Sequence, residues 1–232
     1  MTSIIGVHPT NPLLCRHPNI SLNLPLIEGS GDTVYDLSGN DNNGAIINAE
    51  WTSTEHGWAL DFNGIDTYVD CGTGSTLAIT NEITVEAIIK AETVPTDKWP
   101  GVVGKYRHSN KYSFLLHLNP DQTAAFVAGN GTTVRTPVNS ISEIAGTGEW
   151  CHLVGVCDEN VVYIYVNGVQ TNQKTISFTL GTNDLSVNIG RWGGDYGDIL
   201  NGMLIFARIY NHALSAAEVK YSYLDIKRRL RI

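Results

Sequence analysis

Glu149-Trp-Cys-His-Leu-Val-Gly-Val-Cys-Asp158, followed closely by Tyr163-Ile-Tyr-Val-Asn-Gly168, is the stretch that decides the fold of this chain. Successive side chains of a strand point to opposite faces. Trp150, His152, Val154 and Val156 therefore share one face of the first segment. Tyr163-Ile-Tyr-Val166 repeats the period of two, and Asn167-Gly168 before Val169-Gln-Thr171 supplies the two positive-φ residues that a tight type I′ turn needs. The pair reads as antiparallel strands closed by a hairpin.

The same punctuation continues outward. Short apolar or alternating runs bounded by Gly, Asn, Asp and Pro predict strands at 58–63, 67–71, 83–91, 100–106, 112–118, 124–129, 132–138, 149–157, 161–166, 169–176, 186–191 and 200–210. Ile20-Ser-Leu-Asn-Leu-Pro-Leu-Ile27 also alternates, and Pro25 assigns it to a sheet edge. Glu28 to Gly44 reads as a polar loop. One helix is expected: Ser215-Ala-Ala-Glu218 forms a capping box, with Val219, Tyr223 and Ile226 following at helical spacing. The chain is thus expected to be all-β, a two-sheet antiparallel β-sandwich with one short C-terminal helix. Its body would span residues 20–225, between an extended Pro- and Asn-rich N-terminal arm (1–19) and a basic C-terminal tail (226–232).

Composition bounds the function. Hydrophobic residues make up 42%, enough for a large core, whereas charged residues make up 16% and glycines number 23, which suits many short strands and turns. The net charge is −8; with Lys227, Arg228, Arg229 and Arg231 set aside, 11 cations face 23 acids, a balance of −12. An acidic body disfavours phosphate backbones, so nucleic acid is not an expected partner. No segment is long and apolar enough to span a bilayer. Met1-Thr-Ser-Ile-Ile-Gly-Val-His8 lacks the features of a secretory leader, so synthesis in the cytoplasm is expected, with assembly into a virion or other particle as a route out. Cys151 and Cys157, about 20 Å apart along one strand, cannot bond to each other, and with Cys15 and Cys71 they read as reduced thiols.

Several segments in a fixed order resemble the laminin-G-like branch of the concanavalin A-like lectins and glucanases. They are Asp36-Leu-Ser-Gly-Asn-Asp-Asn-Asn-Gly-Ala45, Ala59-Leu-Asp-Phe-Asn-Gly-Ile-Asp-Thr-Tyr-Val69, Ile83-Thr-Val-Glu-Ala-Ile-Ile-Lys90, Trp150-Cys-His152, Ile189-Gly190 and Tyr210-Asn-His-Ala-Leu-Ser-Ala-Ala-Glu-Val219. The resemblance covers about residues 20–225 and implies a jelly-roll sandwich that binds rather than catalyses. It also implies a calcium ion, held here by Asp36 and Asn40. Yet the family's acidic strand is replaced by Gly202-Met-Leu-Ile-Phe-Ala-Arg208, in which Ile205 and Phe206 stand where carboxylates are expected. Calcium needs several oxygen ligands, and Asx side chains also cap turns without any metal.

For a ligand, Gly190-Arg-Trp-Gly-Gly-Asp-Tyr-Gly-Asp198 is the leading candidate. Sugar recognition combines a flat apolar ring with a few placed polar groups. Trp192 and Tyr196 offer the platform, and Arg191, Asp195 and Asp198 the partners. The competing reading is that Trp192 merely covers the edge of the core. Asp97-Lys-Trp-Pro-Gly101, carrying Trp99, with Tyr106-Arg-His-Ser-Asn110, forms a second aromatic loop that also reads as an ordinary hairpin connection. His152 is expected to be a buried, hydrogen-bonded core histidine. No alternating pair of acids, nucleophile elbow or phosphate loop occurs, so no enzyme activity is expected. The leading expectation is a non-catalytic module recognising a glycan or glycoprotein surface. The runner-up is a structural or adhesive component of a larger assembly, such as a phage head or tail protein, docked through the N-terminal arm.

Overall fold

The computed structural model describes residues 18–193 and 198–230. All but the last two residues of the expected arm, Cys15, Asp195, Tyr196 and Arg231 lie outside them. Two eight-stranded sheets face each other, with strands numbered in chain order. The first sheet runs β14 (Val169–Thr175), β13 (Val161–Val166), β12 (Cys151–Asp158), β7 (Ile83–Ala91), β16 (Asn201–Tyr210), β5 (Gly57–Asn63) and β4 (Glu50–Thr54). Its eighth strand, β1 (Ile20–Leu24), pairs with the far half of β16. The second sheet runs β11 (Arg135–Glu143), β10 (Thr123–Gly129), β9 (Lys111–Leu118), β8 (Gly101–Arg107), β15 (Asn188–Ile189), β6 (Tyr68–Asp70), β3 (Gly44–Ile47) and β2 (Thr33–Val34). The paired strands within both sheets are antiparallel, as expected for this sandwich.

The interior lies between the sheets, where alternate residues of each strand meet. Val85, Ala87 and Ile89 of β7 and Leu153 and Cys157 of β12 join Phe114, Leu116, Phe126 and Val138 of the second sheet in one cluster, with Cys71 and Cys151 also buried. Gly155 is the one small residue on that face of β12, and a Cβ there would stand 2.1 Å from the Phe126 ring. Asn167 and Gly168 take φ of +50° and +74°, the turn their sequence specifies. Cys71, Cys151 and Cys157 are free thiols.

Three strands escape the sequence pattern. The two residues of β2 and four of β3 fall in and after the predicted polar loop, and half-exposed β4 carries Glu-Trp-Thr-Ser-Thr with no apolar alternation. Pairing with neighbouring strands, not local preference, holds them in the sheets. Pro25 falls just after β1, which ends there.

The first sheet buries its outer face as well. Helix α1 (Ala216–Leu230) starts at the predicted capping box: the Ser215 amide donates to Glu218 Oε2 at 2.8 Å, and the Glu218 amide to Ser215 Oγ at 3.3 Å. It continues through residues 226–230, which the sequence sets apart as a tail. Ile226 and Leu230 pack on Ile88, Ile205 and Phe206, while Val219 packs on Val154, Val156 and Tyr210. Each such side chain withdrawn from water contributes about 1.5–3 kcal/mol. The apolar pair Ile205 and Phe206, anomalous for the resembled family, is thus the seat of the helix.

His152 belongs to this outer face and not to the inter-sheet interior. Cys151, Leu153 and Cys157 take the inward positions, so His152 lies beneath α1, fully buried, with its ring stacked on Tyr223 at 5.8 Å. Its Nε2 hydrogen-bonds Glu86 Oε1 at 2.8 Å, and Ser222 of α1 donates to the same oxygen. Glu86 Oε2 receives Tyr210 Oη at 3.1 Å and the Arg208 guanidinium at 3.4 Å. Burial would raise the Glu86 pKa, but the His152 bond and the Arg208 charge outweigh it and hold the carboxyl down at about 2.

Candidate functional site

On the second sheet, the strand faces turned away from the interior remain open. Cross-strand partners share a face, so the register of β8 to β11 lays out rows: Asn139, Ala125, His117 and Gly101 in one, Pro137, Val127, Leu115 and Gly104 in the next. Arg135 opens a third row opposite Gly129. Over these rows lies an open groove of about 750 Å³, walled by Trp99, Tyr106, His108, Trp192 and Asp198 in addition to the strand residues.

Glycines let the walls close in. A Cβ on Gly101 would stand 2.4 Å from the backbone carbon of Arg191 and 2.6 Å from the amide nitrogen of Trp192, so only glycine admits the loop that carries Trp192 across β8. Gly190, at φ +82°, turns the chain into that loop, and an antiparallel bridge between Arg191 and Ile199 ties its two ends. The Trp192 ring stands edge-on to Tyr106 at 5.5 Å and to His117 at 6.1 Å, and lies parallel to His108 at 6.3 Å. At the other loop, Asp198 Oδ2 accepts from the Trp99 amide at 2.8 Å, its Oδ1 pairs with Lys98 at 3.2 Å, and its carbonyl accepts from the Gly101 amide at 3.1 Å. One aspartate thus fixes the second aromatic loop against the first.

Two groups at the base of the groove are chemically unfinished. Tyr106 Oη and Trp192 Nε1 are buried and have no hydrogen-bond partner. Burial pushes the Tyr106 phenol up to about 12, so it keeps its proton. His117 is driven down to about 4 by burial, with the nearby Arg135 charge acting in the same direction. It is neutral at pH 7, and its Nδ1 shares a hydrogen bond of 3.0 Å with the Leu118 carbonyl. Arg135 lies over the stacked rings of Tyr106 and Tyr112, at 5.8 and 5.5 Å from their centroids.

The structure brings together Trp99, Trp192 and Asp198 of the sequence-expected ligand residues. Arg191 is placed elsewhere: its guanidinium lies 3.4 Å from the Tyr68 ring centroid, and its Nε donates to Asn188 at 3.0 Å. Asp195 and Tyr196 lie outside the described residues. Sequence reasoning missed the strand contribution, above all His117, Arg135 and Asn139. Their alternation with Leu116, Leu118 and Val138 was legible, but which face would stay open was not.

The expected calcium ligands do not fit that ion. Asp36 Oδ1 accepts from the amides of Asn23 and Ser38, each at 2.9 Å, and Oδ2 accepts from Ser38 Oγ at 2.7 Å and the Asn42 amide at 3.0 Å. Asn40 turns its amide nitrogen, a donor, toward the carbonyls of Ile20 and Ser21 at 3.0 and 3.2 Å. The loop buckles β1 to the sandwich through Asx capping. Among the described residues, no group of three or more His, Cys, Asp or Glu is arranged to hold a metal ion, and no helix is long and apolar enough to cross a membrane.

A family profile described as the concanavalin A-like lectin/glucanases superfamily matches residues 63–220. No curated protein sequence matches the chain. Among solved structures, the binding domain of Paraclostridial Mosquitocidal Protein 1 superposes with a TM-score of 0.72 at 14% identity, over 91% of this chain and 52% of that one. Domain 4 of AbnA, a GH43 extracellular arabinanase from Geobacillus stearothermophilus solved with arabinotriose, gives 0.68 at 21% identity, over 88% and 98%. The binding domain of botulinum neurotoxin DC, solved with SialylT, gives 0.70 at 13% identity, over 90% and 51%. The chain spans about half the length of the toxin binding domains it matches. At these identities the likeness is one of fold.

Proposed function

The chain belongs to the concanavalin A-like lectin/glucanase superfamily, in its laminin-G-like branch, and on that premise we propose that it is a non-catalytic binding module whose groove takes carbohydrate. The observation that carries this reading is the groove itself. It has the volume of a small-molecule site, about 300–1,000 Å³. Its aromatic rings stand beside placed polar groups at Arg135, Asn139 and Asp198. Indole and imidazole faces pack on the C–H face of a pyranose, and the amide and guanidinium groups pair with hydroxyls. Two matched domains solved with saccharides, one with arabinotriose and one with SialylT, support the same class of ligand.

The carboxylate inventory supports binding over hydrolysis. Glycoside cleavage uses two carboxyls about 5–9.5 Å apart across the bond. Among the described lining residues Asp198 is the one carboxylate, and it is engaged by Lys98 and the Trp99 amide. A glycan array tests the proposal directly. The protein is expected to retain a defined set of glycans, and Trp192→Ala to lose them while remaining folded. The Trp192→Ala protein is checked for a native circular dichroism spectrum, since removing a ring packed on Tyr106 and His117 also lowers its melting temperature. An intact protein that binds no glycan on a broad array would remove the reading.

A further inference from the structure

Resting on that carbohydrate reading, we propose that the groove selects glycans bearing a carboxylate, and that Arg135 is the group that holds it. The whole chain carries a net charge of −8, which disfavours anions at a distance. Beyond a Debye length of about 8 Å such fields are screened, so the charge inside the groove decides. There Arg135 stands as a cation with no ion pair among the described residues, whereas the Asp198 charge is offset by Lys98 at 3.2 Å. His117 adds no positive charge at neutral pH, since burial holds it neutral.

The guanidinium is also placed in advance. Gly129 sits between Arg135 and β9 in the register, and with no side chain there the Arg135 head lies over the Tyr106–Tyr112 ring pair, stacked at 5.2 Å. The guanidinium stands 5.5–5.8 Å from the two ring centroids, and among the described residues none of its N–H groups is given to a protein acceptor, so they are open to a carboxylate, which a guanidinium can bind through two parallel hydrogen bonds. Accounting for one-way groups gives the same answer. Arg135 and the indole N–H of Trp192 can only donate. Trp192 Nε1 and the Tyr106 hydroxyl have no acceptor in the protein. Asp198, which can only accept, is already served. Neutral His117, whose Nδ1–H is given to the Leu118 carbonyl, leaves one acceptor at Nε2. Against it stand the open donors of Arg135 and Trp192, and the ligand chemistry that complements that surplus is an acceptor-rich, anionic ring.

The carboxylate could belong to a uronic acid or to a sialic acid, and paired probes distinguish them. Calorimetry of the full chain would compare 3′-sialyllactose with lactose, and trigalacturonate with its carboxyl-reduced trisaccharide. In one pair the acidic member is expected to bind about tenfold or more tightly than the neutral one, equivalent to about 1.4 kcal/mol. Arg135→Gln should erase the difference within the pair, bringing the acidic member to the affinity of its neutral partner, while Trp192→Ala weakens both members and keeps the difference. Equal affinities within both pairs, or a preference that survives Arg135→Gln, would overturn the selectivity while the carbohydrate reading stands. If the intact protein binds no glycan on the array, both fall together.

Discussion

Replacing Glu86 by glutamine isolates the charge that fastens α1 to the first sheet. The carboxyl has an ordinary value of 4.5 and is held at about 2 in the fold, against the pull of its own burial. Lowering a pKa by that much makes ionised Glu86 worth about 3 kcal/mol to the folded state. The folded pKa is the depressed one, so this stability is complete above about pH 4.5 and is lost as the pH falls from there to about 2. Glutamine is the nearest isostere of the protonated acid and carries no charge at any pH. Chemical denaturation followed by tryptophan fluorescence at steps from pH 7 to 2 should therefore show Glu86→Gln less stable by about 3 kcal/mol at pH 7, with the two proteins converging toward pH 2. Other carboxylates titrate in both proteins and cancel in the difference. Glycan binding should be untouched, because Glu86 and the groove lie on opposite outer faces of the sandwich. A difference that stays constant from pH 7 to 2 would show that the wild-type carboxyl is not held ionised by His152 and Arg208, and the reasoning would fail.

Gly101→Ala sets a Cβ 2.4 Å from the backbone of Arg191, where carbon needs about 3.5 Å, so the Trp192 loop must retreat by about 1 Å. We expect a stability loss of about 1–3 kcal/mol in thermal melts, together with glycan affinity lowered about tenfold or more by calorimetry; unchanged affinity would mean that the loop does not position the ligand. Titration with calcium should release no heat and leave the melting temperature where it is, since the Asp36 oxygens are already occupied by four donors. Burial pushes the thiols of Cys151 and Cys157 up to about 12 and that of Cys71 higher still. In native protein these three should resist a thiol reagent that modifies them readily in urea, and rapid native labelling at any of them, mapped by mass spectrometry, would contradict their burial.

Whatever depends on short-range pattern could be read from the sequence. Period-two alternation marked β5, β7, β9, β12 and β13, Asn167-Gly168 marked the turn, and Ser215 to Glu218 marked the start of α1, because each depends on neighbours a few residues apart. The sequence also marked the loops that carry Trp99, Trp192 and Asp198 as candidates, and the fold sets all three around one groove. Alternation shows that a strand has two faces, but not what will cover each. Tertiary packing alone decided that α1 would seal the outer face of the first sheet, turning Ile205, Phe206 and His152 into its seat, and that the outer face of the second would stay open. The same packing brought Arg135, Tyr106 and Trp192 to one groove from stretches far apart in sequence. Register between strands sets such meetings, and register is a property of the assembled sheets that no local pattern encodes.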